Sequence, residues 1–79
     1  MESKKEKWAK LVFSSLREVV ERYLNGEITV QQFSLWMKEN FAKVVKALVY
    51  LVKPEYREEV LEVIDSVTRA GEKIVSTIE

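Results

Sequence analysis

Five carboxylates between residues 55 and 65 come closest to catalytic chemistry in this chain: Glu55, Glu58, Glu59, Glu62 and Asp65. A pair of carboxylates can act as general acid and general base. Their spacing, however, places them on the polar face of a predicted helix, where acidic residues are usually solvated surface. The chain has no histidine and no cysteine, so the commonest acid–base group and the thiol nucleophile are both missing. We therefore predict that the protein is not an enzyme.

The same absences argue against bound groups. Without cysteine the chain has no thiolate metal site, and two glycines are too few for a glycine-rich phosphate loop. Residues 25–33, NGEITVQQF, resemble the second half of an EF-hand calcium loop and the start of its exit helix. Gln32 stands where that loop needs a bidentate glutamate, and Glu21 and Tyr23 stand at its first and third ligand positions. We expect no cofactor, no metal ion and no small-molecule substrate.

Composition favours one small globular domain. The chain has 79 residues, of which 47% are hydrophobic and 33% charged, with a net charge of zero. Such a composition excludes most disordered classes, and the zero net charge gives no overall attraction to nucleic acid or anionic membrane. The longest apolar run, residues 47–52, is far shorter than the ~18 residues of a membrane span. We expect a single domain over residues 1–79, no membrane partner, a cytoplasmic location and a thermophile-like composition rich in Lys, Glu and Val.

Helix start and stop signals divide the chain into three. Ser3 and Glu6 have the spacing of a capping box, residues 25 and 26 (Asn-Gly) favour a helix end, and Thr29 with Gln32 forms a second box. Pro54 ends the second helix and suits the first position of the third. We predict an all-α, antiparallel up-down-up three-helix bundle, with helices at about 4–25, 30–52 and 54–78. The alternative has four helices, with a break near residues 39–40.

Apolar periodicity predicts the core, and the second helix has the most apolar surface, so we expect the bundle to be organised around it. Its predicted core face comprises Val30, Phe33, Met37, Phe41, Val44, Val45, Leu48, Leu51 and Val52. The predicted stripe of the third helix comprises Val60, Leu61, Ile64, Val67, Thr68, Gly71, Ile74, Val75 and Ile78. Positions 57, 60, 64, 67, 71, 74 and 78 of this helix alternate steps of three and four, as a coiled-coil seam does. Gly71 in this seam predicts close approach of a neighbouring backbone.

Apolar residues beyond the needs of a three-helix core predict a protein-binding surface. We expect its anchors to be Leu11, Leu35, Val49, Tyr50 and Val63. Leu35 and Tyr50 are interleaved with charged residues, as at protein interfaces. The sequence thus favours an interaction module, either an accessory subunit docked on a larger protein or a homo-oligomer.

Lysines on the first two helices support a different function. The candidates are Lys4, Lys5, Lys7, Lys10, Lys38, Lys43 and Lys46, which could contact phosphates of DNA or RNA. In an up-down-up bundle, the basic start of helix 1 also lies beside the acidic start of helix 3, where the charges can pair. Nucleic-acid binding is therefore the alternative to protein binding, and an ordinary solvated face is the plainer interpretation.

Overall fold

The computed structural model describes residues 2–78, and this part of the chain forms three α-helices and one short 3-10 turn. The helices are α1 (Lys4–Leu24), α2 (Val30–Tyr50) and α3 (Arg57–Ile78), and the 3-10 turn is Pro54–Tyr56. The molecule measures 44 × 21 × 17 Å. The predicted all-α three-helix bundle is confirmed.

Both predicted capping boxes form. The Ser3 Oγ accepts from the Glu6 amide at 3.1 Å, and the Glu6 Oε1 accepts from the Ser3 amide at 3.0 Å. Thr29 and Gln32 make the same reciprocal pair at 3.1 and 2.8 Å. Gly26 has a φ of 77°, the left-handed conformation that lets the chain turn directly after α1. In the segment that resembles a calcium loop, the side chain of Gln32 is thus engaged in a helix cap.

Helix α2 is continuous through residues 39–40, so the four-helix alternative does not form. It ends at Tyr50, two residues before the predicted end. Leu51 still donates to the Ala47 and Leu48 carbonyls, but its φ and ψ of −111° and 32° leave the helix. Lys53 is extended, as the residue before a proline prefers.

Helix α1, not α2, is the centre of the fold. Five of its apolar residues are buried: Ala9, Phe13, Leu16, Val20 and Tyr23. Helices α2 and α3 each pack along α1, while their own backbones scarcely approach each other. The expectation that the second helix organises the bundle is wrong, because two separate sides of α1 each take one of the other helices.

Small side chains and ion pairs join α3 to α1. Ser66 and Ala70 are buried in this contact, which lets the two helices lie close together. At the shared end of the two helices, the Lys10 Nζ lies 3.7 Å from the Glu59 Oε1 and 5.0 Å from the centre of the Tyr56 ring. The predicted pairing of a basic helix 1 start with an acidic helix 3 start is confirmed at this position.

The predicted core is too large. Eight apolar side chains assigned to it are exposed: Phe41 and Val45 on α2, Val52 two residues beyond its end, and Leu61, Ile64, Val67, Val75 and Ile78 on α3. Periodicity correctly places them on common helix faces, but it does not indicate whether another helix covers those faces. Because α2 and α3 both turn toward α1 and not toward each other, these faces are uncovered. We call these eight residues the open face.

Candidate interaction surfaces

Helix α3 has two apolar rows, and only one of them packs on α1. The packed row contains Val63, Ser66 and Ala70, all buried. The second row lies one residue further along the chain, hence ~100° further round the helix. It is the predicted coiled-coil seam, in which Val60 and Ile74 are partly buried while Ile64, Val67 and Ile78 are exposed. A seam of this spacing is suited to packing against another helix, and within residues 2–78 none covers it.

Helix α2 presents the other half of the open face. Phe41 and Val45 are exposed there beside the partly buried Leu48, and the exposed Val52 follows two residues after the helix ends. Phe41, Val45 and Leu48 are separated by three or four residues, so they form one stripe along the helix. At its Leu48 end, this stripe meets Val60 and Leu61 of α3.

A groove joins the two stripes where α2 turns into α3. Its volume is about 540 Å³, and its lining is mostly apolar: Leu48, Leu51, Val52, Pro54, Val60 and Leu61. Lys53 and Arg57 are the charged residues of this lining. The groove is thus an apolar trough with its positive charge confined to the end near the α2–α3 turn.

Gly71 lies in the exposed seam of α3. A Cβ added there would meet no atom within 4 Å among the described residues apart from its chain neighbours and the backbone of its own helix. The close backbone approach predicted for this glycine is therefore not made within the monomer. Mid-helix glycine costs about 1 kcal/mol relative to alanine, and no contact in the described part of the chain explains its presence.

A second surface is basic and aromatic. Lys4, Lys5 and Lys46 surround Trp8 and Tyr50 in a shallow depression. The two rings meet edge to face with centres 5.9 Å apart, and the Lys5 Nζ lies 5.6 Å from the centre of the Tyr50 ring. The start of α1 and the end of α2 thereby bring three of the predicted lysines together.

The other predicted lysines have different environments. Lys10 pairs with Glu2 at 3.4 Å and with Glu59, on the side of α1 that faces α3. Lys43 lines a neighbouring depression with Trp8. Lys7 and Lys38 are exposed but belong to neither depression. The structure therefore divides the predicted basic set instead of gathering it on one face.

The predicted protein-binding anchors are also divided. Val63 is only 3% exposed and packs toward α1, so it is a core residue and cannot contact a partner. Tyr50 is partly buried against Trp8. Leu11, Leu35 and Val49 are exposed, but none of them belongs to the open face. The predicted set does not form one surface, because the prediction took the second helix as the centre of the bundle.

Three of the five candidate catalytic carboxylates line or border the α1–α3 contact. The Arg17 Nη1 lies 2.8 Å from the Glu62 Oε2, and Arg69 reaches both Glu21, at 3.2 Å, and Asp65, at 3.3 Å. Glu59 pairs with Lys10, as described above. These are partly exposed ion pairs of the kind that contribute little stability individually. Among residues 2–78, no group of three or more acidic side chains is arranged to hold a metal ion.

Glu6 is the one buried acid of the described chain. Its Oε2 lies 3.5 Å from the Lys53 Nζ and makes no hydrogen bond of ordinary geometry within residues 2–78. The facing Tyr56 hydroxyl, then the Ser3 cap and the Lys53 charge, lower the pKa of Glu6 to about 2. The same carboxylate raises the pKa of Tyr56. This cluster fastens the start of α1 to the turn between α2 and α3.

Sequence reasoning failed to single out the open face because its residues have the pattern of a core. One signal was available: the third helix carries a coiled-coil seam in addition to small residues, Ser66 and Ala70, that suit close helix packing. Two such rows on one helix indicate two different neighbours. Because α1 covers only the row of α3 that contains Ser66 and Ala70, the seam of α3 is left uncovered by the other helices of the described chain.

None of the helices in the described part of the chain combines the length and apolarity needed to cross a membrane. Comparisons with protein-family models, curated proteins and solved structures gave no match.

Proposed function

We propose that this protein is a protein–protein interaction module, not an enzyme, and that its open face binds an apolar helical surface. The observation that supports this most is the open face itself. Its eight large apolar side chains are exposed on α2, just beyond the end of α2, and on α3. Leaving so much apolar surface in water is unfavourable. Covering this surface with a partner therefore lowers the free energy of the system.

The size of the open face supports the proposal. From their exposed fractions, which run from 41% to 78%, these side chains present on the order of 800 Å². The largest apolar patch on a typical monomer covers ~300–600 Å². A standard protein interface buries ~800 Å² on each partner. The summed exposed area of these eight side chains is thus larger than an ordinary surface patch and comparable with one side of an interface.

The pattern of the open face specifies the chemistry of its partner. The seam residues of α3 are uncharged from Val60 to Ile78, and their three–four spacing accepts the side chains of a parallel or antiparallel helix. A matching partner therefore presents apolar residues at heptad positions a and d.

A peptide titration tests this proposal. A synthetic amphipathic helix with leucine or isoleucine at a and d is added to ¹⁵N-labelled protein held at low micromolar concentration. We expect the changes in amide chemical shift on peptide addition to be concentrated on residues 41–52 and 60–78. Leu61→Glu should abolish these changes, because peptide binding would bury the new carboxylate without a partner.

Leu35→Glu is the matched control, since Leu35 is exposed to a similar extent, 55% against 51% for Leu61, but lies outside the open face. This variant should bind the peptide as the wild type does. The proposal would be contradicted by chemical-shift changes that map to the basic and aromatic depression around Trp8 and Tyr50. It would also be contradicted if both variants lost peptide binding equally.

A second candidate function is supported by the basic and aromatic depression, where Lys4, Lys5 and Lys46 surround Trp8. Lysines can contact phosphates and an aromatic ring can stack on a base. If this surface binds DNA or RNA, affinity for a single-stranded oligonucleotide should fall steeply between ~0.05 and ~0.2 M salt. The double variant Lys5→Glu/Lys46→Glu should abolish binding, whereas Lys38→Glu should leave it nearly intact.

A further inference from the structure

We infer that the partner of the open face is a second copy of this chain, with the two open faces packed together and α2 of each protomer lying on α3 of the other. This inference depends on the proposed function, because it names the occupant of the same surface. It is supported by the extent of the surface, its lack of charge, the seam on α3 and the charges of the two helices.

Area and chemistry fit a symmetric pair. Two open faces of about 800 Å² each would bury at most about 1,600 Å², the size of a standard specific interface. All eight residues of the open face are hydrocarbon side chains, so the face makes no demand for a complementary charge. Such a surface binds another apolar surface most favourably, and a second copy presents one of equal area and equal length.

The seam of α3 supports a helical neighbour at close range. Exposed Ile64 and Val67 lie on it beside Gly71, where a Cβ would meet nothing within 4 Å among residues 2–78. A glycine at a helix surface allows a second helix to approach more closely than any other residue does. In the proposed dimer, α2 of the partner subunit lies along this seam, which gives the glycine the neighbour that the monomer lacks.

The chain direction and the charges select the arrangement. Helices α2 and α3 run antiparallel, so a two-fold axis parallel to them places each α2 on the partner's α3, also antiparallel. Helix α2 carries three lysines and one glutamate, whereas α3 carries five acidic and three basic residues. Two of the α3 acids, Glu59 and Glu62, are already paired with Lys10 and Arg17 of α1, so α3 presents little net charge to the partner's basic α2. A perpendicular axis would instead stack α2 on α2 and bring the net positive charges of two α2 helices within about a Debye length, ~8–10 Å.

Sedimentation equilibrium and light scattering on the purified full chain, from about 1 to 500 µM, test the dimer. We expect the wild type to shift from monomer to dimer over this range. Ile64→Glu places two carboxylates in the apolar interface, so its dissociation constant should rise about 100-fold or more. Leu35→Glu, on an equally exposed leucine outside the open face, should dimerise as the wild type does. Circular dichroism checks that both variants keep the wild-type helix content.

Oligomeric state and peptide binding together distinguish failure of the dimer from failure of the proposed function. A wild type that stays monomeric at 500 µM while the amphipathic peptide still binds would overturn the second copy and leave the interaction module, whose partner would then be a helix of another protein. Monomer without peptide binding would overturn both. A dimer that Ile64→Glu does not weaken would show that another surface associates, which also overturns the inference.

Disulfide trapping tests the arrangement. The chain has no cysteine, so Val52→Cys and Leu61→Cys each carry a single thiol, and both residues line the same end of the groove. With the axis parallel to the helices, residue 52 of one protomer lies near residue 61 of the other. An oxidised equimolar mixture should yield mainly the mixed disulfide. Predominance of either homodisulfide, or no cross-linking above that of a Leu35→Cys control, would overturn the arrangement.

Discussion

Truncating two leucines to alanine provides a direct test of which surfaces the fold covers. Leu16 on α1 is 0% exposed, and Leu61 on α3 is 51% exposed. Leu16→Ala removes side-chain atoms from the core beneath both other helices and leaves a cavity. Such substitutions lower the free energy of unfolding by about 3–5 kcal/mol.

Leu61→Ala should have a much smaller effect in the monomer. Three carbon groups at about 0.8 kcal/mol each correspond to ~2.4 kcal/mol for complete burial. Half of that side chain is already in water, and no cavity forms, so we expect a loss of about 1 kcal/mol. A domain of 79 residues has a stability of about 4–12 kcal/mol, so the Leu16 variant loses a large fraction of it and the Leu61 variant a small one.

Urea unfolding followed by far-UV circular dichroism at about 1 µM measures both losses. With a slope of about 1 kcal/mol/M, the midpoint should fall by ~3 M or more for Leu16→Ala and by ~1 M for Leu61→Ala. At high protein concentration the Leu61 loss should grow, because the dimer then contributes to stability. Equal losses at 1 µM would refute the reasoning, since they would mean that Leu61 is covered within the monomer.

Three further predictions concern single positions. Gly26→Ala places a Cβ at a φ of 77° and should lower the free energy of unfolding by about 1–2 kcal/mol, measured by urea unfolding; an unchanged midpoint would contradict the left-handed turn. Gly71→Ala should raise the free energy of unfolding by about 0.5–1 kcal/mol at low protein concentration, because alanine is the better helix former and its Cβ has room there. A lower urea midpoint for this variant would reveal a close contact within the monomer. Glu6, with its pKa lowered from 4.5 to about 2 by Tyr56, Ser3 and Lys53, stabilises the fold fully above about pH 4.5 and progressively less as the pH falls toward 2. Glu6→Gln should therefore abolish this part of the acid sensitivity, seen as a smaller decrease in the urea midpoint from about pH 5 to about pH 2.5; an identical decrease in both proteins would exclude Glu6 as its source.

Local features of the fold could be predicted because they depend on neighbouring residues. The capping boxes at Ser3–Glu6 and Thr29–Gln32, the turn at Gly26 and the stop before Pro54 each require only three to six residues in sequence. Their chemistry satisfies the free amides at helix starts and the special backbone angles at helix ends wherever the rest of the chain lies. The sequence by itself thus determined the number, order and approximate bounds of the helices.

The tertiary structure decided which helix is shared and which apolar faces are uncovered. Phe41 and Ile64 have the same periodicity as the buried Phe33 and Val63, and nothing local distinguishes them. The difference arises because α1 offers two packing sides, and close contact through Ser66 and Ala70 turns α3 so that its seam points elsewhere. Periodicity assigns residues to a face of a helix, but only the relative rotation of whole helices determines whether that face meets protein or water.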